Sequence, residues 1–129
     1  MRDFGFTIWF TGGLYHHPGL PSSGKTTLGQ AIQSRFKDLK IQSVLLDGDV
    51  LRKGLNKDLD FSPESRLENN RRVAEVAKLF AQNGTVSIVT FISPYKVVRI
   101  VHQSRSEKRP DYFTIKKTCH SWRFISKQP

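Results

Sequence analysis

The amino-acid sequence predicts an α/β fold, in which a parallel β-sheet is flanked by helices, and two observations lead to this prediction. Short apolar runs that suit buried strands alternate with stretches whose apolar residues recur at helical spacing. A glycine-rich phosphate-binding pattern lies between the first apolar run and the first helical stretch. Strand, glycine loop, helix and strand in this order form a βαβ unit, whose strands are parallel.

The βαβ unit occupies the first part of the chain. Residues 6–11 (FTIWFT) are rich in aromatic and β-branched side chains, which predicts a buried strand. Residues 43–46 predict a second strand, which runs directly into Asp47-Gly48-Asp49. Between them, residues 26–37 predict an amphipathic helix, whose apolar positions are Leu28, Ala31, Ile32 and Phe36.

A second helix is marked at both ends. Ser62 is suited to cap its N-terminus with Pro63 at the first helical position, and Asn83-Gly84 is suited to close it. Arg66 and Asn69 are three residues apart and therefore neighbours on the helix surface, where they place a cation and an amide beside each other. The predicted core stripe is Val73, Val76, Ala77 and Phe80.

A third strand is predicted over residues 85–92 (TVSIVTFI). The run is almost continuously apolar, which is typical of a strand covered on both faces of a parallel sheet. Beyond Tyr95 the periodicity weakens. Residues 112–115 are compatible with an edge strand, and residues 103–111 with a polar loop.

The composition is that of one compact domain. Of 129 residues, 37% are hydrophobic and 25% are charged, and no apolar run approaches the roughly 20 residues that a membrane span needs. The one cysteine, Cys119, cannot form an internal disulfide, and no secretory signal is recognisable. We therefore expect a cytoplasmic protein without membrane contact, with a plastid form left open.

Most of the excess positive charge lies towards the C-terminal end. The net charge is +10, and residues 96–129 carry 9 Lys/Arg against 2 Asp/Glu. A basic segment of this kind suits nucleic acid, but no recognised RNA- or DNA-binding motif accompanies it. Nucleic-acid binding is therefore disfavoured.

The phosphate-binding pattern GxxxxGK[ST] is complete in GLPSSGKT. Its glycines let the backbone wrap an anion, so that successive N–H groups and the following helix N-terminus point at phosphates. Lys25 is predicted to reach the β and γ phosphates of ATP, and the Thr26 hydroxyl to hold Mg²⁺. The predicted ATP site consists of Gly19, Leu20, Pro21, Ser22, Ser23, Gly24, Lys25, Thr26 and Thr27.

Two polar segments follow predicted strands. In a parallel sheet, ligands bind beyond the carboxyl ends of the strands, so Asp47 or Asp49 can meet the phosphate loop and orient or deprotonate an attacking hydroxyl. The same aspartates can instead cap the following helix, and one can serve each purpose. Ser93-Pro94 ends the third strand in an equivalent place, although Ser-Pro there is more often a turn.

Five segments in this order and spacing closely resemble the adenylylsulfate kinase (APS kinase) family: FTIWFTG, LPSSGKTT, LLDGDVLRKGLN, DLDFSPESRLENNRRVAEVAKLF and FISPY. The resemblance covers residues 4–95. It implies transfer of the γ-phosphoryl group of ATP to the 3′-hydroxyl of adenosine 5′-phosphosulfate (APS), giving the activated sulfate donor PAPS. It also implies Mg²⁺ as cofactor and leaves a homodimer open.

The resemblance implies a role for each matching residue. Asp49 looks like the carboxylate near the accepting hydroxyl, and Ser93 like the serine discussed in the family as a phosphorylated intermediate, although direct transfer needs no such step. Arginines suit a doubly anionic substrate, because they present forked donors to phosphate and sulfate oxygens. The implied substrate-binding residues are Arg52, Arg66 and Asn69 on the phosphosulfate, Phe61 on the adenine, and Ile92 and Ser93 of the FISP segment.

The sequence departs from the family at two places. Residues 13–19 form an insert between the first strand and the phosphate loop, and after Tyr95 no family segment is recognisable. We therefore expect a partial kinase domain over residues 1–95 and an unrelated basic tail over 96–129. The resemblance implies further strands, helices and a basic lid after FISPY. Three parallel strands without these segments predict weak turnover. An inactive ATP-binding remnant and another small-molecule kinase remain the alternatives.

Overall fold

The computed structural model describes residues 5–12, 24–91, 112–117 and 122–128. Its elements alternate between strands and helices over most of this length. They are, in chain order, β1 (Thr7–Gly12), α1 (Lys25–Asp38), β2 (Ser43–Asp47), α2 (Gly48–Arg52), α3 (Pro63–Gln82), β3 (Val86–Thr90), β4 (Tyr112–Lys117) and β5 (Trp122–Gln128).

The sheet has five strands in the order β2-β3-β1-β4-β5. The first four of these run parallel, and β5 runs antiparallel to β4 at the outer edge. The predicted parallel sheet is thus confirmed, but the expectation of three strands is wrong. The strand predicted at residues 112–115 is longer and is not at the edge, because β1 pairs with it on one side and β5 on the other.

The two long helices cover opposite faces of the sheet. On one face, α1 packs its apolar side against Phe10, Val86 and Ile88. On the other, α3 packs Val73 and Ala77 in a cluster with Trp9, Leu46, Val89 and Phe91. Successive strand residues alternate between the two faces, and all of β3 is buried as its apolar sequence predicts.

The ends of α3 follow the predicted signals, but its core stripe is shifted. The Ser62 hydroxyl accepts a hydrogen bond from the Ser65 amide, Pro63 begins the helix and Asn83 ends it. Phe80, predicted as core, is 38% exposed, whereas Ala81 is fully buried. Residues four apart recur on one helix face, so the sequence from Val73 through Ala77 leads to Ala81 rather than to Phe80.

Residues 13–19, 92–93 and 96–111, on which several predictions fall, lie outside the described part of the chain. Within that part, no helix combines the length and the apolar character that a membrane span requires.

Close approach of α1 to the sheet depends on Gly29. A Cβ atom built there would lie 2.7 Å from Thr90 Cγ2 and 2.9 Å from Leu45 Cδ1. We expect Gly29→Val to lower the free energy of unfolding by about 2 kcal/mol, because overpacking would push α1 away from β2 and β3. Urea unfolding measures this, with Gln30→Val on the exposed side of α1 as the control. Equal effects of the two substitutions would show that α1 does not pack closely at Gly29.

Candidate active site

A cavity of about 490 Å³ opens where the carboxyl ends of β2 and β3 meet the N-terminus of α1. This is the edge at which ligands bind in parallel α/β sheets. Predicted site residues from three separate stretches of the chain line it. They are Gly24, Lys25, Thr26 and Thr27, then Asp49 and Arg52, then Phe61, Arg66 and Asn69, and they are joined by Asp47, Gly48, Thr90 and Phe91.

The N-terminus of α1 is built to accept an anion. Gly24 stands before the helix with φ 73°, a left-handed conformation that favours glycine, and no side chain caps the helix there. The first turn of α1 contains no acidic residue. Its first N–H groups therefore have no side-chain cap, and the positive end of the helix dipole lies at the cavity. Both features stabilise bound phosphate.

The carboxylate of Asp47, at the cavity wall, links four elements. One oxygen, Oδ2, accepts hydrogen bonds from the hydroxyls of Thr26 in α1 (2.7 Å) and Thr90 in β3 (2.9 Å). The other, Oδ1, accepts from the amides of Asp49 and Val50 at 3.1 and 3.4 Å, and so caps α2. Burial raises the pKa of Asp47, but hydrogen bonds from Thr26, Thr90 and the two amides outweigh it, and the pKa lies below the ordinary range.

The two aspartates of Asp47-Gly48-Asp49 thus occupy different environments. Both line the cavity, but the Asp47 carboxylate is buried and bonded to groups of the protein, whereas Asp49 is exposed in the first turn of α2. Of the alternatives that the sequence left open, capping belongs to Asp47. Asp49 remains available to a ligand.

The geometry at Thr26 fits a magnesium ion. Because the Thr26 hydroxyl donates its proton to Asp47, its oxygen lone pairs can face a cation, and Mg²⁺ prefers oxygen ligands. Among the described residues, no group of three or more His, Cys, Asp or Glu side chains is placed to hold a metal.

The opposite side of the cavity is aromatic and cationic. The Phe61 ring is 69% exposed, and the guanidinium carbons of Arg52 and Arg66 lie 4.3 and 6.0 Å from its centroid. Arg66 also donates from Nε to the Phe61 carbonyl at 2.9 Å. Asn69 is 3% exposed, and its Oδ1 has no hydrogen-bond partner in the described structure. These groups can bind an anion that carries a flat ring.

Sequence reasoning missed two features of the site. It did not predict the hydrogen bond that the Thr90 hydroxyl donates to Asp47, or the one that the Thr26 hydroxyl donates to the same carboxylate. A polar side chain at the carboxyl end of an otherwise apolar strand was the available signal for Thr90. The remaining predicted site residues lie outside the described part of the chain. They are Gly19, Leu20, Pro21, Ser22, Ser23, Ile92 and Ser93.

A complete GxxxxGK[ST] pattern that leads into α1, with a carboxylate from the next strand against the helix threonine, defines a protein of the P-loop nucleotide-binding class. The family model described as adenylylsulphate kinase matches residues 4–121. The chain belongs to this family.

Individual relatives agree. The adenylyl-sulfate kinases of Clostridium acetobutylicum and Saccharomyces cerevisiae are each 47% identical, over 95 and 98 residues, which are 74% and 76% of this chain and 44% and 45% of theirs. The Mycobacterium tuberculosis APS kinase CysC, solved in complex with AMPPNP and APS, has TM-score 0.79 at 36% identity, covering 88% of this chain and 62% of its own. The chain spans less than half the length of the curated relatives.

The pH dependence of stability tests the role of Asp47. Its pKa is lowered on folding, so its ionised form stabilises the fold above the ordinary aspartate pKa, and this stabilisation is lost as pH falls through the folded-state pKa. We expect Asp47→Asn to lower Tm at pH 7, and the difference from wild type to narrow below about pH 4. Asp38→Asn, at the exposed end of α1, is the control. A difference in Tm that stays constant from pH 7 to 3 would contradict this role.

Proposed function

We propose that this chain contributes the nucleotide and acceptor sites of an adenylylsulfate kinase. ATP with Mg²⁺ binds on the α1 side of the cavity, and APS binds on the Phe61 side. The γ-phosphoryl group then passes to the 3′-hydroxyl of APS, which gives PAPS in sulfate activation.

One observation carries the proposal. Phosphate-loop residues and the residues expected to bind APS line the same cavity, with Asp49 among them. Phosphoryl transfer needs donor and acceptor side by side, because its catalysis consists mainly of positioning and of charge stabilisation. The solved neighbour with AMPPNP and APS supports this assignment of ligands.

On the donor side, Lys25 would neutralise charge on the β and γ phosphates, while the first turn of α1 donates backbone hydrogen bonds. When bound through Thr26, Mg²⁺ would add charge stabilisation on the phosphate oxygens. The hydrogen bond from Thr26 to Asp47 fixes the rotamer of the threonine, so that its oxygen is presented in one orientation.

On the acceptor side, Arg52, Arg66 and Asn69 would bind the phosphosulfate, and Phe61 would stack on adenine. The 3′-oxygen attacks the γ-phosphorus, the bond from that phosphorus to the ADP oxygen breaks, and the hydroxyl proton passes to the Asp49 carboxylate. Asp49 is suited to accept it because it is exposed to the cavity. Ile92 and Ser93 remain proposed contacts of the substrate.

The setting of the protein stays a prediction. We keep the cytoplasmic location, absence of membrane contact and a homodimer as expectations. The APS kinase of Thiobacillus denitrificans, a structural neighbour with TM-score 0.73 at 32% identity, is hexameric.

The direct test of function is to incubate the chain with MgATP and APS and to quantify PAPS. Titrating each ligand separately distinguishes an inactive ATP-binding protein, which would bind ATP but form no product.

ATP affinity should depend on Lys25. Lys25→Ala removes the charge that faces the β and γ phosphates, and we expect MgATP to bind at least about tenfold more weakly, or about 1.4 kcal/mol. Isothermal titration measures this, with Lys37→Ala in the exposed last turn of α1 as the matched control. An unchanged affinity would show that the loop does not bind nucleotide.

Turnover should depend on Asp49. Asp49→Asn keeps the size of the side chain but removes its ability to take the hydroxyl proton, so kcat should fall by about 10²-fold while ligand affinities change little. Glu64→Gln, an exposed carboxylate in the first turn of α3, serves as control. Equal rates for wild type and Asp49→Asn would remove Asp49 from the mechanism.

A further inference from the structure

The chain between α2 and α3, residues 53–62, carries the Phe61 ring into the cavity. Its backbone hydrogen bonds are local: the Lys57 amide donates to Gly54, the Leu59 amide to Asn56, and the Asn56 amide to Leu51 of α2. Such bonds shape the connection locally and tie its first residues to the neighbouring α2. Side chains of α3 supply a link between this connection and the body of the protein.

Arg72 of α3 makes that link. Its Nη1 and Nη2 donate to Asp58 Oδ1 and Oδ2 at 2.7 and 2.9 Å, a two-point contact that sets orientation as well as distance. Nη1 also donates to the Leu55 carbonyl at 3.2 Å. One guanidinium therefore holds the connection at two places, three residues apart.

Glu68, one turn earlier on α3, holds Arg72 in this orientation. Its Oε1 accepts from Arg72 Nε at 3.0 Å, while Arg71 donates to both of its oxygens at 2.6 Å. Hydrogen bonds from Arg71 and Arg72 lower the pKa of Glu68 to about 2, and the hydrogen bond from Arg72 lowers the pKa of Asp58. Arg71 and Arg72 thus share Glu68, and of the two it is Arg72 that donates hydrogen bonds to the connection.

The contacts of Arg72 with Asp58 and Leu55 form an anchor for the connection. The anchored residues run directly into the part of the connection that faces the cavity. The Arg52 Nη1 atom lies 3.5 and 3.4 Å from the carbonyls of Leu59 and Asp60, directly after the anchored Asp58. Arg66 holds the next carbonyl, that of Phe61. A shift at Asp58 would therefore move the groups against which both arginines rest.

We propose that Arg72 is a positioning residue for the acceptor nucleotide, holding residues 53–62 through Asp58 and Leu55 so that Phe61 and Arg52 face the cavity. Arg72 is not among the residues that line the cavity. Its effect must therefore pass through the connection. The acceptor nucleotide is APS, as in the proposed function, and the inference rests on that function.

The test compares Arg72→Gln with Arg71→Gln, which leaves the anchor intact. We expect Arg72→Gln to weaken APS binding about fivefold in isothermal titration and to leave MgATP binding unchanged. A general loss of structure would weaken the binding of both APS and MgATP. Arg71→Gln should change neither, and equal effects of the two substitutions on APS would overturn the proposal.

Hydrogen exchange provides a readout that needs no ligand. Without the anchor, the amides of Asn56 and Leu59 should exchange faster in Arg72→Gln and in Asp58→Asn, the latter altering an exposed side chain outside α3. The double variant that carries Arg72→Gln and Asp58→Asn should exchange no faster than either single variant, since the two substitutions remove the same contact. Unchanged exchange overturns the anchor, whereas faster exchange in a chain that never binds APS overturns the proposed function instead.

Discussion

The Asp47 carboxylate is the interaction on which the site depends. It joins the end of β2 to the end of β3 through Thr90, to α1 through Thr26, and to α2 through the two amides it caps. A buried carboxylate is costly to leave without partners, so each of these groups is held at a defined distance. The same contact sets the position of the helix that begins at Lys25.

The two sides of the cavity are built by different means. The phosphate side consists of backbone, Lys25 and short hydroxyl side chains next to the packed sheet, where Gly29 lets α1 lie close to β2 and β3. The acceptor side consists of long cationic side chains and an exposed ring, presented by α3 and by the connection that precedes it. The first side is held by packing and buried hydrogen bonds, and the second by charged hydrogen bonds near solvent, which water and salt weaken.

The C-terminal strands show where local sequence reasoning reaches its limit. β4 extends the sheet beside β1, in register from Thr7 opposite Tyr112 to Gly12 opposite Lys117. More than a hundred residues separate such partners, and the chemistry of one strand does not reveal which strand will pair with it. The family match to residue 121 also passes the point at which recognisable motifs end. The division of the chain at residue 95 into two units of different origin stays a prediction.

The sequence by itself determined the βαβ unit, the caps of α3 and the family, and it predicted the phosphate loop, because each is a pattern of nearby residues. It also named Asp49, Arg52, Phe61, Arg66 and Asn69, which the fold brings to one cavity. Only the tertiary structure showed that Asp47 caps α2 and accepts from Thr26, that β4 pairs with β1, and that Ala81 is buried in place of Phe80. Those outcomes depend on hydrogen bonds and packing between residues far apart in the chain, whose geometry exists only once the sheet and its helices have come together.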